Sequence, residues 1–252
     1  MAVSLEDLAA YMDRFLAVDQ VADGPGALNG LQVQNSGNVT RLAAAVDACQ
    51  STIDSAAASG ADLLLVHHGL LWGDARPVTG RQWSRLKKLL DHDIAMYSAH
   101  IPLDCHPEVG NNAVLFRELG IEGGEPFGDH QGTAIGIAGT LPISRDALVA
   151  RLEEILGSPP HVIPTGPEQV SRIAVVTGGG GSMIDQVRDA GIDTFVTGEG
   201  THHSYFDAEE WKINVIYGGH YATETFGVKA LAAHVEAKFG TPWEFIDHPT
   251  GL

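Results

Sequence analysis

The chain has 252 residues, 44% of them hydrophobic and 19% charged, which excludes a disordered polypeptide and suffices for one large domain or two small ones. Lys and Arg total 15 and Asp and Glu 32, so the net charge is −17, a balance that opposes non-specific nucleic-acid binding and attachment to anionic membranes. Two cysteines, Cys49 and Cys105, cannot build a disulfide framework; no apolar run approaches the ~18 residues of a membrane helix; and the first residues lack the basic start and apolar run of a signal peptide. A cytoplasmic protein is therefore expected.

In chain order, residues 4–18 place Leu5, Leu8, Met12, Phe15 and Leu16 at helical spacing, with Ser4 as N-cap and Glu6 and Asp7 near the positive end. A turn-rich stretch over 19–30 follows. Beyond it, short apolar runs at 41–46, 62–66, 94–98, 173–177, 193–197 and 213–217 read as buried strands. Helices are expected over 50–59, 81–92, 108–119, 145–156, 182–190, 204–211 and 223–239. Strand–helix alternation of this kind predicts an α/β fold with helices on the faces of mostly parallel sheets.

The chain also repeats itself. A shift of 131 residues lays 39–69 on 170–200 without a gap, and Val39, Arg41, Ser51, Asp54, Gly60, Asp62 and Gly69 recur as Val170, Arg172, Ser182, Asp185, Gly191, Asp193 and Gly200. A shift of 120 lays Tyr97, His100 and Asp104 on Tyr217, His220 and Glu224. Each half thus runs from strand to helix, through a Gly-x-Asp turn to a second strand with a polar end, and on to His-x-x-x-carboxylate. Duplication is expected, with two similar α/β halves over 1–127 and 128–252 and a C-terminal segment able to pack back on the first. The 11-residue difference between the shifts fits a longer loop over 72–80 in the first half.

Sites of parallel α/β sheets lie beyond the carboxyl ends of the strands, and the ligand-type residues gather there. The run 63–66 ends in His67-His68-Gly69, with Gly69 expected to allow a turn that brings both rings to one cluster. The run 95–98 leads to His100 and Asp104, 195–197 to Glu199, His202 and His203, and 216–217 to His220 and Glu224. Any one of these has an ordinary structural reading. Together, three histidines and two carboxylates on one rim suit Zn, Mn, Fe, Co or Ni, and no cysteine restricts the choice to thiolate metals. Five such groups exceed one open tetrahedral site and suit two ions with a bridging carboxylate. Asp47, at another strand end, either lines this pocket or caps the following turn. The run Gly178-Gly179-Gly180-Gly181-Ser182 reads equally as an anion cradle or as a tight turn with Ser182 as N-cap. No Ser/His/Asp triad is readable, and no nucleotide-binding glycine motif is present.

The stretches Asn29-Gly30-Leu31-Gln32-Val33, Val66-His67-His68-Gly69, Tyr97-Ser98-Ala99-His100-Ile101-Pro102-Leu103-Asp104, Thr197-Gly198-Glu199 and Gly219-His220-Tyr221-Ala222-Thr223-Glu224 resemble, in order, the GTP cyclohydrolase 1 type 2 homologue family. The resemblance implies metal ligands at His67, His68, Asp104, His220 and Glu224, with Glu224 bridging two divalent ions, and His100, Glu199 and His202 lining the pocket. It implies two similar α/β halves around the centre and a toroidal homohexamer. The chain has no room for the extra domain of longer relatives, so it looks like the short form. Two functions follow as expectations. One is a metal-dependent hydrolase acting on a small molecule through activated water, by cyclohydrolase-like, phosphoester or amide chemistry, with His100 or His202 moving protons. The other is a non-catalytic metal-binding oligomer that delivers metal or serves as an interaction platform.

Overall fold

A computed structural model describes residues 2–73 and 76–252; Met1, and residues 74 and 75 of the loop expected over 72–80, lie outside the described residues. The chain opens with β1 (Val3–Ser4), α1 (Leu5–Phe15), β2 (Gly30–Val33), β3 (Asn38–Val39), β4 (Leu42–Asp47), α2 (Gln50–Ser59), β5 (Leu63–His68), α3 (Gly80–Asp91), β6 (Ala95–Ser98) and α4 (Ile101–Asp104). It continues through α5 (Asn111–Glu118), β7 (Glu122–His130), β8 (Thr133–Ser144), α6 (Arg145–Leu156), β9 (His161–Pro164), β10 (Gln169–Val176), α7 (Ile184–Asp189), β11 (Thr194–Thr197), α8 (Ser204–Trp211) and β12 (Asn214–Tyr217). It closes with α9 (His220–Thr223), α10 (Thr225–Phe239) and β13 (Trp243–Phe245). Two compact units result: Met1–Val109 with Gly227–His248, and Gly110–Phe226 with Pro249–Leu252. Position 127, where the sequence suggested a boundary, falls inside β7, and the β7–β8 hairpin keeps 122–144 in one unit.

The first unit is built on a five-stranded sheet of order β13-β4-β5-β6-β2, beside a separate β1–β3 pair. Its strands β4 and β5 are apolar on consecutive residues because both faces are covered. Ala43, Ala45, Leu64, Val66 and Met96 pack with Ile53 and Ala56 of α2 and Leu89 of α3. Helix α1 starts where Ser4 Oγ accepts the Asp7 N–H at 3.3 Å and buries Leu5, Leu8, Ala9 and Met12.

The second unit has a six-stranded sheet of order β7-β8-β10-β11-β12-β9. Its side chains alternate between two cores. Ala174, Val176, Phe195 and Val215 meet Ile184 and Val187 of α7, whereas Ile173, Val175, Val196 and Ile216 meet Leu115, Leu148 and Leu152 of α5 and α6.

Both sheets are mixed; the first is parallel at three of its four pairings, and the second departs from the mostly parallel arrangement expected. The first has one antiparallel pairing, β2–β6; the second has three, β7–β8, β8–β10 and β12–β9, against two parallel ones. Strands β2, β7, β8 and β9, which add the antiparallel pairings, lie outside the apolar runs named above. Residues 122–126 are exposed along β7, so that strand carries no hydrophobic signature.

The repeat has a physical counterpart in hydrogen bonding. Asp62 accepts the Thr40 and Arg41 N–H groups at 2.9 and 3.0 Å, and Asp193 accepts those of Ser171 and Arg172 at 3.0 and 2.9 Å. Each aspartate thereby ties the start of its strand, β5 or β11, to the strand before it. The second shift needs correction at Tyr97. Ser98 pairs with Val66 and Tyr217 with Thr197, so the repeat aligns Tyr217 with Ser98 rather than with Tyr97. The spare residue is absorbed by Gly218 and Gly219 before His220.

Candidate metal centre

In the first unit, three imidazoles converge at the carboxyl ends of β5 and β6. The ligand-type nitrogens of His67, His68 and His100 lie within 4.8 Å of one another. Ring centroids are 4.7 Å apart for His67–His68, 5.0 Å for His67–His100 and 5.5 Å for His68–His100. His67 and His68 are the last residues of β5 rather than residues beyond it. Gly69 serves a different purpose from the one expected: a Cβ there would overlap the Gln32 side-chain amide, whose Oε1 accepts the N–H groups of Leu70 and Leu71 at 2.9 and 3.0 Å.

Each ring is oriented through Nδ1. His67 Nδ1 lies 2.8 Å from the Ala99 carbonyl oxygen, which can only accept; the Nδ1–H therefore donates, and the neutral ring carries its lone pair on Nε2. His68 Nδ1 is 2.9 Å from Asp47 Oδ1, which places the Asp47 side chain in the site. His100 Nδ1 is 2.8 Å from Asp23 Oδ1. Asp104, buried at the end of α4, sits with Oδ2 3.5 Å from His67 Nε2.

Asp23 was not found by sequence reasoning, because it lies in the turn-rich 19–30 stretch without an apolar strand to mark it. Its carboxylate accepts from the Gly24 N–H at 2.6 Å, Asn29 Nδ2 at 2.8 Å and the Ile101 N–H at 3.1 Å, while Asn29 Oδ1 accepts the His100 N–H at 2.7 Å. Burial alone would raise its pKa. The hydrogen bonds from His100 and Asn29, the His100 charge and the Gly24 N–H outweigh burial and hold the carboxyl at about 2. Burial first, then the charges of Asp104 and Asp23, push the Cys105 thiol up to about 12, so no thiolate stands beside Asp104.

In the second unit one imidazole stands between two carboxylates at the ends of β11 and β12. His220 opens α9, with Nδ1 2.8 Å from Glu199 Oε1 and Nε2 3.2 Å from Glu224 Oε2. The hydrogen bond to Glu224 comes first and outweighs burial; with the Glu224 charge and the Glu199 hydrogen bond and charge it raises His220 to about 9 in the absence of a cation. Glu224 is buried against Gly178, where φ is +65° and a Cβ would overlap Glu224 Oε1. The glycine run is thus shaped around a carboxylate of the chain itself. Two of its N–H groups are committed, Gly178 to Thr223 Oγ1 at 3.0 Å and Gly181 to the Glu199 carbonyl at 3.0 Å, and Ser182 lies within a 3-10 turn rather than at the N-cap of α7. His202 is exposed and meets Phe206 edge-on at 5.6 Å; the structure does not bring it into either donor cluster.

Two clusters of histidine and carboxylate donors able to coordinate divalent cations are therefore present among the described residues. The donor chemistry fits such ions. Imidazole and carboxylate groups are gathered, and each Nδ1 is held by an oxygen that fixes tautomer and ring direction, as partners of metal-bound histidines do. No helix of the described residues is long and apolar enough to cross a membrane.

Comparison with known proteins covers the whole chain. The profile of Duf34/NIF3 (NGG1p interacting factor 3) matches residues 3–250. A Deinococcus radiodurans protein named GTP cyclohydrolase 1 type 2 homolog is 43% identical over 252 residues, covering 99% of this chain and 95% of its own. Among solved structures, protein ybgI superposes with a TM-score of 0.92 at 35% identity, covering 99% of this chain and 100% of its own. The Thermus thermophilus protein TTHA1606 gives 0.88 at 41% identity, with the same coverage.

Proposed function

Because the chain belongs to the Duf34/NIF3 family of GTP cyclohydrolase 1 type 2 homologues, we propose that its two donor clusters act as one dinuclear centre for metal-dependent hydrolysis. In this reading His67, His68, Asp104, His220 and Glu224 would hold two divalent cations, and His100 and Glu199 would line the pocket beside them. The observation that carries it is the common orientation of four imidazoles. His67, His68, His100 and His220 each engage an oxygen through Nδ1, which presents Nε2 as the donor. When bound, the ion pair supplies Lewis-acid polarisation of a carbonyl, amidine or phosphoryl group and acidifies water. The chain's own residues do the rest. Asp47 and Glu199 orient His68 and His220, and His100, held by Asp23, takes or gives a proton in this reading. A homohexamer, two halves derived from one ancestor, a small-molecule substrate and a cytoplasmic location belong to the same proposal, supported by the repeat and the family.

Protein purified without chelator is expected to contain two divalent ions per chain by elemental analysis. It is expected to turn over a member of a nucleotide, phosphoester and amide panel. His67→Ala and Glu224→Ala should lose metal and turnover with an unchanged circular dichroism spectrum. Stoichiometric metal without turnover would replace hydrolysis by metal delivery or a platform role. Absence of stoichiometric metal would overturn the reading.

A further inference from the structure

Trp72 presents an indole beside the first-unit histidines and leaves 41% of its surface open. Its ring stands edge-to-face with His100 at 4.6 Å and with His68 at 6.1 Å. A large aromatic ring left partly open next to a cluster of polar donors offers a face on which a flat ligand can stack.

The backbone that carries this ring is fastened to the frame that holds His100. Trp72 forms an antiparallel bridge with Ala27, and the Gly73 N–H donates to the Gly26 carbonyl at 2.8 Å. Gly26 has φ +79°, and a Cβ there would come within 2.5 Å of Gly73 Cα, so only glycine permits the approach. Gln32 ties the preceding residues by accepting the N–H groups of Leu70 and Leu71. The same 23–32 segment grips His100 through Asp23 and Asn29. Indole and imidazole therefore share one hydrogen-bonded frame, and a rigid aromatic surface costs little ordering entropy when a ligand arrives.

We propose that Trp72 is the ligand-recognition wall of the centre, and that the ligand is a flat, unsaturated ring bearing a cation-binding heteroatom rather than an aliphatic amide or a simple phosphoester. This rests on the dinuclear reading above and narrows its substrate class. Stacking of a flat ring on an aromatic side chain accounts for about tenfold in affinity, and a puckered ring of the same donor set gains little.

The test uses full-length protein loaded with cobalt(II), whose visible bands report cation binding and its perturbation. Two probes share one nitrogen and one carboxylate on a six-membered ring: picolinate, which is flat, and pipecolinate, which is saturated and puckered. For each probe the affinity of Trp72→Ala is read relative to the unsubstituted protein, so that intrinsic donor strength cancels. The expected result is an about tenfold loss for picolinate, no change for pipecolinate, and retention of most picolinate affinity in Trp72→Phe. Equal loss for both probes, or no loss for either, overturns the wall. Absence of cobalt bands before any probe is added overturns the dinuclear reading and the wall together, and that failure is visible as such.

Discussion

At the scale of single residues, the centre depends on close approach and on who holds each proton. Gly178→Ala places a methyl group on Glu224 Oε1 and forces a left-handed φ on alanine, which costs about 1–2 kcal/mol. The expected outcome is a lower melting temperature and loss of stoichiometric cation, read by calorimetry and elemental analysis. His220 gives a pH prediction. Its folded pKa is raised to about 9 from 6.5, so in cation-free protein its pairing with Glu224 and Glu199 stabilises the fold fully below pH 6.5 and is lost as pH rises through 9. Cation-free protein should therefore melt lower at pH 9 than at pH 6.5. Cation uptake at pH 7.5 should also release a proton from this ring, seen as a buffer-dependent binding enthalpy in titration calorimetry. The ligand-type residues themselves were legible, since His67 and His68 close an apolar run and His100, after another, recurs as His220 under the 120-residue shift. The oxygens that orient them were less so. Glu199 was visible at a strand end but given a pocket-lining role only by resemblance, and Asp47 only as one of two alternatives, while Asp23 sits in a turn, where an aspartate reads first as a capping residue.

At the scale of elements, the central parallel strands were visible because burial on both faces leaves runs such as Leu63-Leu64-Leu65-Val66 without polar interruption. The β7–β8 hairpin was hidden for the opposite reason. Its first strand carries Gly123, Gly124 and Pro126, and its turn uses Gln131 and Gly132 at φ 54° and 88°, a left-handed pair that Asn-Gly would have advertised and Gln-Gly does not. The Gly-x-Asp turns of the repeat acquire a mechanical meaning: their aspartates fasten adjacent strand starts. Asp62→Ala removes acceptors for Thr40 and Arg41, and Asp193→Ala removes those for Ser171 and Arg172. Each substitution is expected to cost about 1–3 kcal/mol in denaturant unfolding, and the corresponding asparagine should recover part of it. A loss below the lower figure for both would mean that the turns are held by packing alone.

At the scale of the whole molecule, the sheet of the first unit is completed by the C-terminal part of the chain. Strand β13 lies along β4, with the Leu42 N–H bonded to the Pro242 carbonyl at 2.9 Å and the Ile246 N–H to the Ala44 carbonyl at 2.8 Å. Ending the chain after Gly240 uncovers β4 as an edge flanked by apolar faces, and the expected outcome is aggregation measured by light scattering. Apart from four C-terminal residues, the second unit is one uninterrupted insertion, 110–226, inside a first unit whose pieces are 1–109 and 227–248. Synthesis runs from the N-terminus, so the middle of the polypeptide owns all its sheet partners while the beginning still lacks one. On the ribosome, the sheet beneath His220 and Glu224 can close first, and the sheet beneath His67 and His68 must wait for Trp243–Phe245 to emerge.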